Sequence, residues 1–131
     1  MSRDITKACF LLQEFWPKLA LWYANKYPGQ TLIITHVDRT PVEQLKLFIQ
    51  GRLPEKPGQI VTFKDGFINR SKHNSIPSRA FDVAIVINGK ATWSTTIAQN
   101  LATAVHELAY DGRVVWGGSF SFLDFYHYEV V

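Results

Sequence analysis

The chain contains four histidines, His36, His73, His106 and His127, and two of them stand near carboxylates in ways that bear on chemistry. His73 closes a polar stretch, Ser71-Lys72-His73-Asn74. Nine residues later Asp82 interrupts an otherwise apolar run, Ala80-Phe81-Asp82-Val83-Ala84-Ile85-Val86-Ile87. A carboxylate in such a run is costly to bury unless an opposite charge or a metal ion compensates it. Further on, Asp124-Phe125-Tyr126-His127 sets a carboxylate and an imidazole three positions apart among aromatics. Two imidazoles and one carboxylate are a common protein set for catalytic zinc, with the fourth position left to water. A further carboxylate near that water is what metal-assisted hydrolysis needs as general base. Spacing alone leaves the matter open. Four histidines and eleven acids offer several such subsets, and a buried aspartate also caps turns or pairs with arginine.

These residues must be positioned by ordinary elements. Residues 4–27 carry Leu11, Leu12, Phe15, Leu19 and Trp22 at helical spacing, with Pro17 expected to kink the stretch or start a second helix. Thr31–Thr35 is short and β-branched, the pattern of a buried strand. Thr40-Pro41-Val42-Glu43 reads as a helix start, with a hydroxyl cap, proline at the first position and glutamate three past the cap; that helix runs to about Gln50. From Gly51 to Lys72 the chain is rich in Gly, Pro and charge, and only Gln59–Phe63 resembles a strand. Arg79–Ile87 is strongly strand-like, Asn88-Gly89 is a hairpin turn, and Lys90–Trp93 returns. Thr95 or Thr96 caps a helix reaching about Tyr110, Arg113–Trp116 is a short strand, and Gly117-Gly118 opens the last loop. Helices first, then hairpins around one more helix, predict an α+β domain with a mainly antiparallel sheet.

The 131 residues suit one domain, 1–131, with no repeat or linker dividing it. A single cysteine, Cys9, excludes a disulfide framework and a thiolate metal cage, and it reads as a small buried hydrophobe. No apolar run approaches the ~20 residues of a membrane helix, and residues 1–16 show no secretory signal. The net charge of +3 divides unevenly: residues 1–79 hold 12 basic and 6 acidic side chains, residues 80–131 hold 2 and 5. A basic first half favours polyanions, nucleic acid or an anionic cell wall among them, although solvated surface lysines explain an excess this small.

Several blocks together resemble a known family. Ser71-Lys72-His73 followed by Arg79-Ala80-Phe81-Asp82 is similar to the Ser-x-His…Gly-x-Ala-x-Asp signature of zinc peptidases that cut peptidoglycan stem peptides. These are the D-Ala-D-Ala carboxypeptidases and the L-alanyl-D-glutamate endopeptidases of phage endolysins. The family's carboxylate-x-x-His is matched by Asp124–His127, and the Trp-Gly-Gly that precedes it in the endolysin branch by Trp116-Gly117-Gly118. Upstream, Arg39-Thr40-Pro41-Val42-Glu43-Gln44, Gln50-Gly51-Arg52 and Pro57-Gly58…Val61-Thr62 continue the match in family order, so that it spans roughly residues 30–129. In two respects the chain departs from the pattern: the His73-to-Asp82 interval is nine residues instead of seven, and no wall-binding module accompanies the catalytic unit.

The resemblance implies a hedgehog/D-Ala-D-Ala peptidase-like fold, a single α+β domain whose N-terminal helices and small antiparallel sheet carry a zinc site. It implies that His73, Asp82 and His127 hold Zn2+ and that Asp124 takes a proton from the attacking water. Arg39 would stabilise the oxyanion or hold a substrate carboxylate, unless it only pairs with Asp38 or Glu43. Gln44 would line the cleft or lie on a helix surface, and Trp116 with Tyr126 and Tyr128 would floor a peptide groove or pack the core. Glu129 shares a face with His127 if that segment is a strand, where it would contact a zinc ligand without binding the ion itself. His36 is expected to be structural or peripheral. His106-Glu107 begins a His-Glu-x-x-His motif that Tyr110 leaves incomplete.

The implied activity is L-alanyl-D-glutamate endopeptidase, with a D-Ala-D-Ala carboxypeptidase or a non-catalytic zinc-binding module of the same fold as alternatives. The implied partner is the peptidoglycan stem peptide, with no nucleic acid and no stable membrane association. A monomer made in the bacterial cytoplasm, acting in the periplasm or cell wall once a holin permeabilises the membrane, completes the expectation.

Overall fold

The computed structural model describes residues 1–53, 56 and 58–131; Pro57 of the Pro57-Gly58 block lies outside the described residues. A short 3-10 turn, Ile5–Lys7, precedes helix α1, Phe10–Lys26. The break between them falls at Ala8-Cys9, and α1 passes through Pro17 without interruption. Its buried face is Leu12, Phe15, Leu19 and Tyr23, with Leu11 and Trp22 packed half-buried on its flanks. Phe15 meets Tyr110 and Tyr128 edge-on at ring separations of 4.9 and 5.4 Å, so truncating it to alanine would cost about 3–5 kcal/mol.

Strand β1 (Gln30–His36) leads to helix α2 (Pro41–Ile49). Thr40 and Glu43 close both halves of the expected capping box. After a long connection come β2 (Ala80–Ile87) and β3 (Lys90–Thr92), joined by Asn88 and Gly89 at φ 52° and 76°. Left-handed values at both positions are what a tight hairpin turn demands. The expected strand at Gln59–Phe63 is absent. Side chains from α2 and its C-cap bond the backbone at either end of this stretch instead: Gln50 Nε2 donates to the Gln59 carbonyl at 2.8 Å and Gln44 Nε2 to that of Lys64, just beyond it, at 2.9 Å.

The helix expected over 95–110 is broken into α3 (Thr95–Ala98), a 3-10 turn (Gln99–Leu101) and α4 (Ala104–Glu107), and the cap is Ser94. Ala98, Leu101 and Ala104 are buried, and Ile97, Val105 and Leu108 pack half-buried against the core. Core tyrosines bond to this segment: the Tyr128 hydroxyl donates to the Leu101 carbonyl at 3.0 Å, where the run breaks, and Tyr126 to that of Ser94 at 2.7 Å, which also accepts from the Ala98 N–H. Strands β4 (Val114–Trp116) and β5 (His127–Val130) complete the sheet.

The sheet is antiparallel in order β1-β2-β5-β4, with β3 beside the far half of β2. One edge of β2 is covered by β1; the other is shared, Ala80–Asp82 by β5 and Ile85–Ile87 by β3. Phe81, Val83 and Ile85 join the core with α1. Alternation then sends Asp82 to the opposite face. Among the described residues no helix is long and apolar enough to cross a membrane.

Candidate active site

Register places the cluster. Asp82 is paired with His127 on β5 and with His36 on β1, so three side chains stand in one row across the sheet. A register shift between Ile34 and His36 inserts one residue into β1 and brings His36, not Thr35, opposite Asp82. His73 arrives from outside the sheet on a 3-10 turn, Lys72–Asn74, capped by Ser71. That turn is laced to the start of α2: the Arg39 N–H donates to the His73 carbonyl at 2.9 Å, and Asn74 Nδ2 donates to the Arg39 carbonyl at 2.9 Å.

Asp82 Oδ1 lies 2.8 Å from His127 Nδ1 and 3.3 Å from His73 Nε2, and the two ring nitrogens are 3.3 Å apart. The outer nitrogens fix the tautomers. His73 Nδ1 sits 2.6 Å from the Val37 carbonyl oxygen, which only accepts, so the proton is on Nδ1 and Nε2 offers a lone pair. His127 Nε2 faces Glu129 Oε1 at 2.8 Å, which likewise frees Nδ1. With the protons on the outer nitrogens, two lone pairs and a carboxylate oxygen converge, a set that a shared cation satisfies. Two of the three edges, at 3.3 Å, match the ~3.3 Å between tetrahedral ligands at zinc bond lengths, and the third, 2.8 Å, is shorter. His73, Asp82 and His127 can hold a metal ion.

Without an ion, a proton on His127 Nδ1 takes the cation's place against Asp82. Burial alone would lower His127, but its hydrogen bonds with Asp82 and Glu129 outweigh that and push it up to about 10. Burial alone would raise Asp82, yet His73, His127 and His36 hold it well below the usual carboxylate range. Glu129, partly buried, is drawn down by His127 and by Lys72, whose Nζ is 3.0 Å away.

Asp124 lies at the mouth, its Oδ2 3.7 Å from His127 Nδ1 and its side chain 53% exposed. Crowding by the cleft walls raises its carboxyl, and the charge of Asp82 adds to the rise while His127, His73 and Arg39 offset part of it. A carboxyl shifted upward but still in reach of solvent suits a proton acceptor. The arm is set by two glycines. A Cβ on Gly117 would overlap the Asp124 carbonyl and sit 3.0 Å from His127 Cβ, and one on Gly118 would overlap the Trp116 indole.

Arg39 points into the same space, with Nη2 3.7 Å from Asp82 Oδ2 and a side chain only 10% exposed. Its side chain contacts Asp82, Gln44 and the Met1 sulfur, without the Asp38 or Glu43 pairing that sequence allowed. Gln44 does not line the cleft: it is fully buried, accepting from Arg39 Nη1 at 2.7 Å and donating to the Lys64 carbonyl. Trp116 is also outside it, its Nε1 bonded to the Phe125 carbonyl at 2.8 Å and its ring packed on the core. Tyr126 and Tyr128 are core residues. His106 and Glu107 are surface partners of Asp111 and Lys26.

Sequence reasoning missed three groups. His36 lines the cleft with Nδ1 3.5 Å from Asp82 Oδ2, and only the inserted residue in β1 puts it there. Asn74 braces the His73 turn, and its Ser71-x-x-Asn74 capping spacing was a usable signal. Phe63 and Phe122 meet edge-on at 4.8 Å and join the two loops that wall the cleft, whose volume is about 700 Å3.

The class these features define is an α+β domain with an antiparallel sheet, carrying in an open cleft a His/Asp/His cluster able to bind a metal ion beside a carboxylate and an arginine. Among solved structures the chain shares its fold with the crystal structure of the Serratia marcescens L-Ala D-Glu endopeptidase ChiX. The TM-score is 0.58 at 22% sequence identity, covering 88% of this chain and 79% of that one. No protein-family model and no curated protein sequence matches the chain.

Proposed function

We propose that the protein is a zinc-dependent peptidase of peptidoglycan stem peptides, an L-alanyl-D-glutamate endopeptidase of the endolysin kind. The observation that carries the reading is the convergence of His73 Nε2, Asp82 Oδ1 and His127 Nδ1, with an acceptor oxygen on the outer nitrogen of each imidazole. The fold shared with ChiX, which is named for that activity, supports the choice of substrate. In this reading the protein is a monomer that reaches the wall with a holin's help.

His73, Asp82 and His127 would hold the ion, which when bound supplies Lewis acidity and makes water a nucleophile near neutral pH. The chain does the rest. Asp124 accepts the water's proton and returns it to the leaving amine, and its place at the open mouth of the cleft lets it reach both. Arg39, braced by Gln44, presents donors where negative charge develops on the amide oxygen or where a substrate carboxylate docks. Glu129 and the Val37 carbonyl keep the imidazoles turned inward.

Digestion of purified peptidoglycan, with the fragments read by mass spectrometry, tests this. The expected products expose a new D-glutamate amine; free D-alanine as the main product would make the enzyme a carboxypeptidase. Asp124→Ala should keep stoichiometric zinc and lose activity by about 10²- to 10⁴-fold, whereas His127→Ala should lose both. Equal activity of Asp124→Ala and wild type would remove Asp124 from the mechanism.

A further inference from the structure

The segment between His73 and Asp82 is two residues longer than the spacing it resembles, and the reaction leaves the extra length without a task. The Arg79 N–H donates to the Lys72 carbonyl at 3.0 Å and the Ser78 N–H to that of Lys7 at 2.9 Å, so residues 72–79 close into a fixed loop. The loop has two sides. His73 and Asn74, each 2% exposed, face inward, while Ile76 is 97% exposed. On the outer side lies a second hollow of about 460 Å3, lined by Arg70, Ser71, Lys72, Ser75, Ile76 and Arg79. It adjoins the cleft, with which it shares Arg70, Ser71 and Lys72.

Its charge is not neutralised from within. Lys72 pairs with Glu129. Arg70 spends one donor on the Asn74 carbonyl and Arg79 one on an oxygen of Val131, the last residue of the chain, and neither pairs with an aspartate or glutamate side chain among the described residues. Two guanidinium groups with free donors, two hydroxyls and one exposed aliphatic side chain make a surface for a carboxylate borne on an aliphatic chain. We propose that this hollow binds a second acidic residue of the stem peptide, away from the bond cut in the cleft. Arg70 and Arg79 hold its carboxylate, Ser75 donates to it, and Ile76 packs on its methylenes. The choice of ligand rests on the peptidase reading; the anion site itself rests on the hollow.

The probe is γ-D-glutamyl-meso-diaminopimelate, which lacks the alanyl bond and so is not cut. It is titrated into zinc-loaded, isotope-labelled protein, and the same dipeptide amidated on its diaminopimelate carboxylates serves as the comparison. The expected result is amide shifts at Ser75, Ile76 and Arg79 with the acid form, lost with the amidated form. Arg79→Ser should weaken binding about fivefold, the worth of one exposed charge contact, and Arg79→Lys should restore part of it. Shifts confined to the cleft, no shifts at all, or equal shifts with both dipeptides overturn the proposal. Protein that digests peptidoglycan but shows no response at Ser75 and Arg79 loses the hollow alone. Protein that shows the response but releases no fragments keeps the hollow and loses the peptidase reading.

Discussion

Asp82 gains its character from what each of its oxygens faces. Oδ1 meets the two lone-pair nitrogens of His73 and His127, while Oδ2 meets His36 at 3.5 Å and Arg39 at 3.7 Å. The carboxylate therefore links a metal-binding side to a cationic side, and Arg39 is held on that second side by Gln44. Gln44 is fully buried, with its amide oxygen and nitrogen both bonded. Replacing it with leucine, close in size, strands an Arg39 donor and the Lys64 carbonyl. The expected cost is about 1–3 kcal/mol in stability, with a larger proportional fall in kcat/KM as Arg39 loses its brace. Denaturant titration and kinetics of Gln44→Leu check this. A loss within the ±0.5 kcal/mol of an ordinary surface change would return Gln44 to the helix surface.

The loop between β4 and β5 turns a sequence motif into geometry. Trp116 anchors it by bonding the Phe125 carbonyl, Gly118 lies under the indole, and Gly117 lets the Asp124 backbone cross at a distance that no side chain permits. Gly117→Ala should therefore displace Asp124 and the start of β5, lowering activity more than tenfold while costing about 1–3 kcal/mol by overpacking. Zinc retention and melting temperature, measured together with activity, separate this from unfolding; full activity in Gly117→Ala would contradict the close approach. Here the limits of sequence reading are also physical. The Asn88-Gly89 hairpin, the Thr40–Glu43 cap and the apolar face of α1 are local patterns and were legible. So were His73, Asp82, Asp124 and His127, whose types and order are unusual. The burial of Gln44, the core role of Trp116 and the breaking of the 95–110 helix depend on partners distant in sequence. The place of His36 depends on one inserted residue in β1, which no alternation pattern reveals.

The fold converges on its cleft from four directions: β1, the His73 turn, β2 and β5 each contribute to a cluster whose members span residues 36 to 127. In such a design a bound cation would be a structural tie between those elements. His73 Nε2, His127 Nδ1 and Asp82 Oδ1 repel one another unless positive charge lies between them, and the strongly raised His127 records that demand. A ligand that binds the folded chain and not the unfolded one stabilises by mass action, by about 2.7 kcal/mol at a hundred times its dissociation constant. For a chain of this length that is a rise on the order of 10 °C in Tm. Zinc added to chelator-treated protein should produce that rise, and chelator should reverse it. Asp124→Ala should show the same rise, because Asp124 stands outside the ligand set, and His127→Ala should show none. If zinc leaves the melting of the wild type unchanged, or moves His127→Ala equally, the three side chains do not bind it, and the cluster is a hydrogen-bonded network in which protons balance the charge.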